Sequence, residues 1–175
     1  MKDTMLIRLY ILSRMLDAPT NPYRIFKEYQ GSQTGRFQPI EEAKFYYNID
    51  LLHKQDYISQ TSIVPGDNAP SKKMYAVTPK GREFFEDALY KRFAGACSVD
   101  DLYLIFPFLE FVDTEKARNI LGKRIAELER ELENILQAVC ESFIVEYAIE
   151  KRRFHLKYLK KAQEFIGQAQ GGKNK

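Results

Sequence analysis

Residues 39–79 read PIEEAKFYYNIDLLHKQDYISQTSIVPGDNAPSKKMYAVTP, and this stretch decides the fold. Pro39 opens a helix near residues 39–55, and the acidic first turn suits the helix dipole. After Asp56 the pattern becomes β-prone, and a turn-rich tip with two prolines divides residues 59–77 into two strands. A helix followed by such a hairpin predicts a recognition helix and its wing.

The flanking segments extend this pattern on both sides. Residues 4–17 carry apolar residues at helical spacing, and Asn21 with Pro22 forms a cap and first turn for a second helix. Residues 31–35 have the composition of a loop, and Pro79 starts a further helix. The fold class is therefore mainly α with a small β-hairpin wing. We predict a winged helix-turn-helix in residues 1–92, a helical dimerisation domain in residues 93–170 and a disordered tail in residues 171–175.

The second half is helical throughout. Residues 99–112 are apolar on nearly all sides, and Pro107 is expected to kink or split that helix. A long amphipathic helix follows Thr114, and a last helix spans about 143–167. The long helix has an apolar seam spaced 4-3-4-3-4, which predicts a homodimer interface, with packing inside the chain as the alternative. The seam consists of Leu121, Ile125, Leu128, Leu132, Ile135 and Val139.

Composition limits the function classes. The net charge is +3, and all of the excess lies in residues 1–92, which carry 14 Lys/Arg against 11 Asp/Glu, a mild indication of nucleic-acid binding. No stretch has the length or apolarity of a signal peptide or membrane span, which predicts a cytoplasmic protein. Cys97 and Cys140 suit a reducing compartment, with a redox-sensing pair as the alternative. His53 and His155 stand alone, so no metal or cofactor is expected.

The solvent face of helix 39–55, the loop before it and the wing form the candidate DNA-binding surface. Lys and Tyr can reach phosphates, and Asn or Lys can reach base edges. Acidic residues on the same helix weaken this interpretation, so a solvated face or a protein-binding winged helix is the alternative. No nucleophile, phosphate-binding or metalloprotease motif is present, and an enzyme is not expected. The candidate DNA-binding residues are Arg36, Lys44, Tyr46, Tyr47, Asn48, Lys72 and Lys73.

Four runs together resemble the PadR family, and the similarity extends over about residues 5–166. The Tyr-x-Val-Thr-x-x-Gly run is shared by many winged helices, whereas its combination with the proline-tyrosine run and the Tyr46-centred helix is more specific. The runs are APTNPYRI (18–25), FYYNIDLL (45–52), YI (57–58) and YAVTPKGR (75–82). Residues 145–159 also look similar to the family's Tyr-rich, charged C-terminal helix.

The resemblance implies a dimeric regulator, usually a repressor, whose recognition helices enter successive major grooves. This chain departs from the family's pattern at Pro22 and Asp56, where glycine is usual, and at Asp50 and Leu51, where basic residues are frequent. Several members sense small aromatic molecules. A ligand pocket here could be lined by Tyr103, Phe106, Phe108 and Phe111, with plain core as the alternative. The basic cluster of the last helix could touch DNA or an acidic ligand, or be solvated; it comprises Lys151, Arg152, Arg153, Lys157, Lys160 and Lys161.

Overall fold

The computed structural model describes residues 4–65, 71–103, 105–137 and 142–168. Within these ranges the chain forms eight α-helices, one short 3-10 helix and a two-stranded sheet. It divides into two compact units, Met1–Ala88 and Leu89–Lys175. The helices are α1 (Thr4–Ser13), α2 (Pro22–Gly31), α3 (Gln33–Phe37), α4 (Glu42–Lys54), α5 (Pro79–Gly95), α6 (Asp100–Tyr103), α7 (Thr114–Gln137) and α8 (Phe143–Gln168).

The first unit begins with α1 and α2. The α1 helix ends at Ser13, four residues before the predicted end, where the Ser13 hydroxyl donates to the carbonyl of Tyr10 at 2.8 Å. The cap predicted for α2 is confirmed: the side chain of Asn21 accepts a hydrogen bond from the backbone N–H of Arg24 at 3.2 Å, and Pro22 occupies the first turn. Both helices bury an apolar face in the core of this unit.

The segment expected to be a loop at residues 31–35 contains the start of α3. Ser32 caps this helix by accepting from the N–H of Gly35 at 3.0 Å. A Cβ on Gly35 would lie 1.9 Å from the carbonyl oxygen of Tyr29, so only glycine lets α3 pack this closely against α2. The glycine that suggested a loop is therefore a packing requirement within a helix. The α4 helix begins at Glu42, three residues beyond Pro39.

The hairpin consists of β1 (Ile58–Val64) and β2 (Lys72–Val77), paired antiparallel with a bulge between Gln60 and Ser62. The predicted strands are confirmed, whereas the tip at residues 66–70 lies outside the described residues. Thr20 forms a bridge with Tyr75, which ties the segment before α2 to the wing. Two backbone hydrogen bonds form that bridge, at 2.8 and 3.0 Å.

The second unit contains the C-terminal end of α5, then α6, a 3-10 helix at Phe106–Phe111, α7 and α8. The split predicted at Pro107 is confirmed, because Pro107 lies in the first turn of the 3-10 helix and α6 ends at Tyr103. The α7 and α8 helices pack against each other along their buried faces. In the described part of the chain, no helix has both the length and the apolar character needed to cross a bilayer.

Candidate nucleic-acid interface

The α4 helix has two faces. Phe45, Ile49 and Leu52 are buried, with Phe45 and Leu52 fully inaccessible to solvent. Tyr47 projects from the opposite side with 63% of its surface exposed. Lys44 is also exposed, on the flank of the helix, as the 3.6-residue period requires. The exposed face therefore presents a tyrosine and a lysine to solvent.

Lys44 has a carboxylate partner. Its Nζ lies 3.2 Å from an oxygen of Glu41, and both side chains are largely exposed. An ion pair of this kind contributes about 0–1 kcal/mol, so the ammonium can exchange Glu41 for another anion at small cost. The pairing nevertheless reduces the positive potential that Lys44 adds to this surface.

Tyr46 is half-buried between aromatic neighbours. Its ring centroid lies 6.1 Å from that of Phe45 and 6.4 Å from that of Phe26. Burial raises the pKa of the Tyr46 hydroxyl, and the nearby Glu42 and Tyr23 raise that pKa further. A tyrosine hydroxyl is protonated at neutral pH in any case, so Tyr46 can donate a hydrogen bond to an anion.

Asn48 does not lie on the exposed face as predicted. It is 3% exposed, and both ends of its amide are used within the protein. Its Nδ2 donates to the carbonyl of Lys44 at 2.8 Å, and its Oδ1 accepts from the Nε of Arg8 at 3.2 Å. The prediction of a base-reading asparagine was wrong in its placement, because Asn48 turns toward α1 and links that helix to α4.

The remaining predicted contacts lie on α3 and on the wing. Arg36 is exposed in the last turn of α3. Lys72 and Lys73 are exposed at the start of β2, opposite Val64 and Ile63 of β1. The cations of the surface thus belong to three separate elements.

A cleft of about 610 Å³ separates the N-terminus of α2, α4 and the wing. It brings Tyr46 together with Lys72 and Lys73, whereas Arg36, Lys44 and Tyr47 lie outside it. Tyr23, which the sequence analysis did not single out, is 56% exposed and lines the same cleft. Its only signal was its position directly after the proline of the α2 first turn.

A hydrogen-bonded junction fixes the base of the wing. The Thr78 hydroxyl donates to the carbonyl of Asp56 at 2.6 Å and accepts from the N–H of Gly81 at 3.0 Å. A Cβ on Gly81 would lie 1.9 Å from the carbonyl oxygen of Tyr57. The Thr-x-x-Gly spacing therefore holds the start of α5 against the start of β1, and this sets the direction in which the hairpin leaves α4.

The predicted dimer seam is divided by the fold. Leu121, Ile125 and Leu128 are buried within the chain, in agreement with the intrachain alternative for this part of the seam. Leu132 and Ile135 are half-buried, and Val139 lies outside the described residues.

The predicted ligand residues also differ in environment. Phe108 is a core residue at 2% exposure, whereas Tyr103 is 40% exposed. Phe106 is half-buried with its ring centroid 5.8 Å from that of Phe165, and Phe111 is half-buried as well. Of the two cysteines, Cys97 is exposed and not in a disulfide, and its Sγ accepts a hydrogen bond from Arg124 at 3.2 Å. Cys140 lies outside the described residues.

Comparison with known proteins bears on this winged-helix unit. Residues 11–87 match the model of the transcriptional regulator PadR-like family. The chain carries a PadR-like domain. The resemblance, the fold class and the assignment to transcription regulation are thereby confirmed, and the matched family is one of regulators rather than enzymes.

Several solved structures are similar to this chain at low sequence identity. Bacillus subtilis PadR in complex with operator DNA is 17% identical, with 92% of this chain and 99% of that chain covered and a TM-score of 0.45. Bacillus subtilis PadR in complex with p-coumaric acid is 14% identical, with 93% and 99% covered and a TM-score of 0.39. Smu.1604c from Streptococcus mutans UA159 is 17% identical, with 98% and 99% covered and a TM-score of 0.40. No curated protein matches the chain significantly.

Proposed function

We propose that this protein is a homodimeric repressor that binds operator DNA with α4 in the major groove and the wing on the flanking backbone. The observation that carries the proposal is the common cleft of Tyr46, Lys72 and Lys73 beside the exposed face of α4. A helix of this diameter fits the major groove, and the wing lysines lie at its side, where the sugar-phosphate backbone runs.

The side chains divide into two roles. Lys72 and Lys73, at the end of an exposed hairpin, suit phosphate contacts that position the protein without reading sequence. Tyr47 and Lys44 project from α4 itself and suit contacts with base edges or with the phosphates at the groove's rim. Loss of one specific base contact typically costs about 1–3 kcal/mol of discrimination.

Charge removal from the wing tests the proposal. The double variant Lys72→Gln with Lys73→Gln should bind operator DNA more weakly and with a flatter salt dependence, by about 0.9 in the logarithmic slope per lost phosphate contact. The matched control is Lys91→Gln with Lys123→Gln, which removes the same charge from exposed lysines of the second unit. Fluorescence anisotropy measures the affinity and the salt dependence of each double variant. Equal weakening in the two double variants would contradict wing contacts, because only the overall charge would then matter.

The exposed acids of α4 support a second candidate function. Glu42 and Asp50 are both exposed and would repel phosphates. A winged-helix module that binds a basic protein surface would use the same face. The alanine variant of Tyr47 separates the two candidates, since it should weaken retention on operator DNA in one case and on a protein partner in the other.

The homodimer is supported by an aromatic stripe on α8, which we define as Phe143, Tyr147, Phe154 and Phe165. Each is more than half exposed, at 81%, 58%, 54% and 55%. At 100° per residue the four positions lie within about 40° of one another on the helix. The buried residues Leu156, Leu159 and Ile166 lie roughly 100–180° from the stripe, and the buried Ala162 lies between the two faces.

The size of the stripe fits a partner of the same kind. Aromatic side chains bury about 150–250 Å² each, so half-exposed rings at four positions offer roughly 400 Å². This is about half of the ~800 Å² that each side of a stable interface buries. Leu121, Ile125 and Leu128 of the α7 seam are already buried within the chain. The α8 stripe is therefore the better candidate for the dimer contact.

Phe154→Ser tests the dimer. Removal of one half-exposed ring from each protomer should raise the dimer dissociation constant by at least about 30-fold, equivalent to ~2 kcal/mol. Phe37→Ser, which changes a 63% exposed ring of the first unit, should leave the constant unchanged. Light scattering over a dilution series gives both constants. A Phe154→Ser protein that dimerises like the wild type would contradict this use of the stripe.

Relief of repression by a small ligand is the last part of the proposal. A ligand can lower operator affinity only by binding the DNA-free state more tightly than the DNA-bound state. Operator affinity should then fall as the ligand is added, and ligand affinity should fall by the same factor when operator is present.

A further inference from the structure

An aspartate lies on the exposed face of α4, on the surface proposed to meet DNA. Asp50 is exposed and lines the same cleft as Tyr46, Lys72 and Lys73. We propose that Asp50 accepts a hydrogen bond from the N4 amine of a cytosine, so that each half of the operator must contain a cytosine at one position. This inference rests on the proposed binding of α4 in the major groove, and it names a base that the bound sequence contains.

The position of Asp50 around the helix places it among residues that would face the bases. At 100° per residue, Asp50 lies about 60° from Tyr47 and about 20° from Ala43. Both neighbours are exposed, and with Asp50 they form a stripe along the exposed face that continues to Lys54. Lys44 lies about 120° from Asp50, on the other flank. A helix about 10–12 Å across fills a major groove about 12 Å wide, so the middle of this face meets base edges.

The carboxylate of Asp50 is available to a partner. Asp50 forms no hydrogen bond or ion pair within the described part of the chain. Burial, and then the charge of Asp50, raises the pKa of the Tyr75 hydroxyl, which agrees with the position of both residues in the cleft. Lys72 and Lys73 line the same cleft, and their charges offset the repulsion between Asp50 and the DNA phosphates.

A carboxylate distinguishes cytosine from the other bases in the major groove, because it can only accept hydrogen bonds. Guanine presents two acceptors there, N7 and O6, and thymine presents the O4 acceptor and a methyl group. Adenine presents an amine beside the N7 acceptor, and that acceptor repels a carboxylate. Cytosine presents the N4 amine alone. Asp50 therefore favours cytosine at the base that it reaches.

Asp50 also has a short side chain, which suits base recognition. Its carboxylate loses less conformational freedom on binding than the end of a lysine or glutamate side chain does. Asn48, the other short polar residue of α4, is buried with both ends of its amide occupied. The role in base recognition that the sequence suggested for Asn48 therefore falls to Asp50.

Selection of bound duplexes from a random pool tests the proposal on the full chain. The control for Asp50→Asn is Asp87→Asn, which removes the same charge from an exposed residue of α5 outside the cleft. Wild type and Asp87→Asn should enrich the same two-fold symmetric sequence. Asp50→Asn should enrich that sequence except for one cytosine in each half. An amide both donates and accepts, so Asp50→Asn should tolerate or prefer adenine at that position.

Fluorescence anisotropy on the selected duplex gives the magnitude. Replacement of the critical C·G pair by T·A in both halves should weaken wild-type binding by at least about tenfold, and Asp50→Asn binding by less than about threefold. On a scrambled duplex, Asp50→Asn should bind as tightly as wild type or more tightly, because it has lost a charge that repels phosphates. Thermal melting verifies that each variant is folded.

The outcomes separate this inference from the function on which it rests. If wild type enriches no sequence, operator binding is contradicted, and the role of Asp50 with it. If wild type enriches a sequence that Asp50→Asn selects unchanged, operator binding stands and the inference is overturned. Equal discrimination between C·G and T·A by the two proteins would overturn it as well. So would a loss of affinity by Asp50→Asn that is the same on the selected and scrambled duplexes.

Discussion

Gly81→Ala should lower the stability of the winged-helix junction more than a methyl group added anywhere else on α5. The new Cβ would lie 1.9 Å from the carbonyl oxygen of Tyr57, well inside contact distance. To reach an ordinary separation, the first turn of α5 must move by more than 1 Å away from β1. Gly81 lies in the first turn of α5, and Tyr57 directly precedes β1. The contact is with a backbone atom, so the strain cannot relax by the movement of a side chain.

The cost follows from the hydrogen bonds that this movement stretches. Thr78 donates its N–H to Tyr57 at 3.0 Å and its hydroxyl to Asp56 at 2.6 Å, and the N–H of Gly81 donates to Thr78 at 3.0 Å. At about 0.5–1.5 kcal/mol each, their loss costs roughly 2–4 kcal/mol. For a chain of this size that lowers the Tm by roughly 5–15 °C.

Gly95→Ala is the control on the same helix. A Cβ there has no neighbour within 4 Å, and Gly95 lies at the C-terminal end of α5 without a positive φ. Alanine should therefore be neutral or stabilise by up to about 1 kcal/mol. Thermal melting followed by circular dichroism compares the two variants. If Gly81→Ala melts within 2 °C of Gly95→Ala, a difference that corresponds to at most about 1 kcal/mol, the close approach at Tyr57 does not constrain the fold. The explanation of the junction would then be wrong.

Three further variants or titrations test other parts of the account. Asp56 has a φ of 58°, so Asp56→Gly should stabilise the protein by about 0.5–1 kcal/mol in chemical denaturation. Gln55→Gly, at a φ of −89°, should destabilise the protein. The opposite order of stabilities would refute the strain at Asp56. Burial, and then the nearby Tyr10, raises the pKa of Tyr29 from 10.0 to about 12. The protonated hydroxyl of Tyr29 therefore contributes its full stabilisation below pH 10, and this stabilisation is lost as the pH rises through 12. Ultraviolet titration should show one tyrosine that ionises last, and ionisation of Tyr29 together with the exposed tyrosines would contradict this. Asn48→Ala should cost about 1–2 kcal/mol of stability, because it removes the hydrogen-bond partner of Arg8. Tyr47→Ala should change stability by less than about 0.5 kcal/mol but weaken DNA binding. Similar melting temperatures of the two variants would contradict the placement of Asn48.

Local signals made the α2 cap, the hairpin strands and the Pro107 split predictable. Each depends on residues close together in the chain, such as Asn21 with Arg24 or the proline ring with its own backbone. The α3 helix was missed for a related reason. Gly35 has a low helix propensity, and its need for close packing against Tyr29 is a contact that propensity does not express.

The candidate sites depended on tertiary contacts that the sequence pattern left open. Asn48 occupies a position on α4 that could be exposed, and only its contact with Arg8, 40 residues away, turns it inward. The α7 seam has the same spacing whether its partner is α8 or a second copy, so Leu128 could not be assigned from periodicity. The cleft of the first unit joins the start of α2 to α4 and the wing, and no spacing along the chain relates these elements.

The most direct test of the regulator is its binding to the DNA immediately upstream of its own gene, measured by anisotropy over a salt series against a scrambled duplex of equal length. If Lys44, Lys72 and Lys73 of both protomers contact phosphates, the logarithm of the binding constant should fall with the logarithm of salt at a slope of about −5. The native duplex should also bind at least about 1,000-fold more tightly than the scrambled one, as specific operators do. A flat salt dependence on the native duplex would contradict DNA binding by this surface, and equal binding of the two duplexes at every salt concentration would contradict operator recognition by α4.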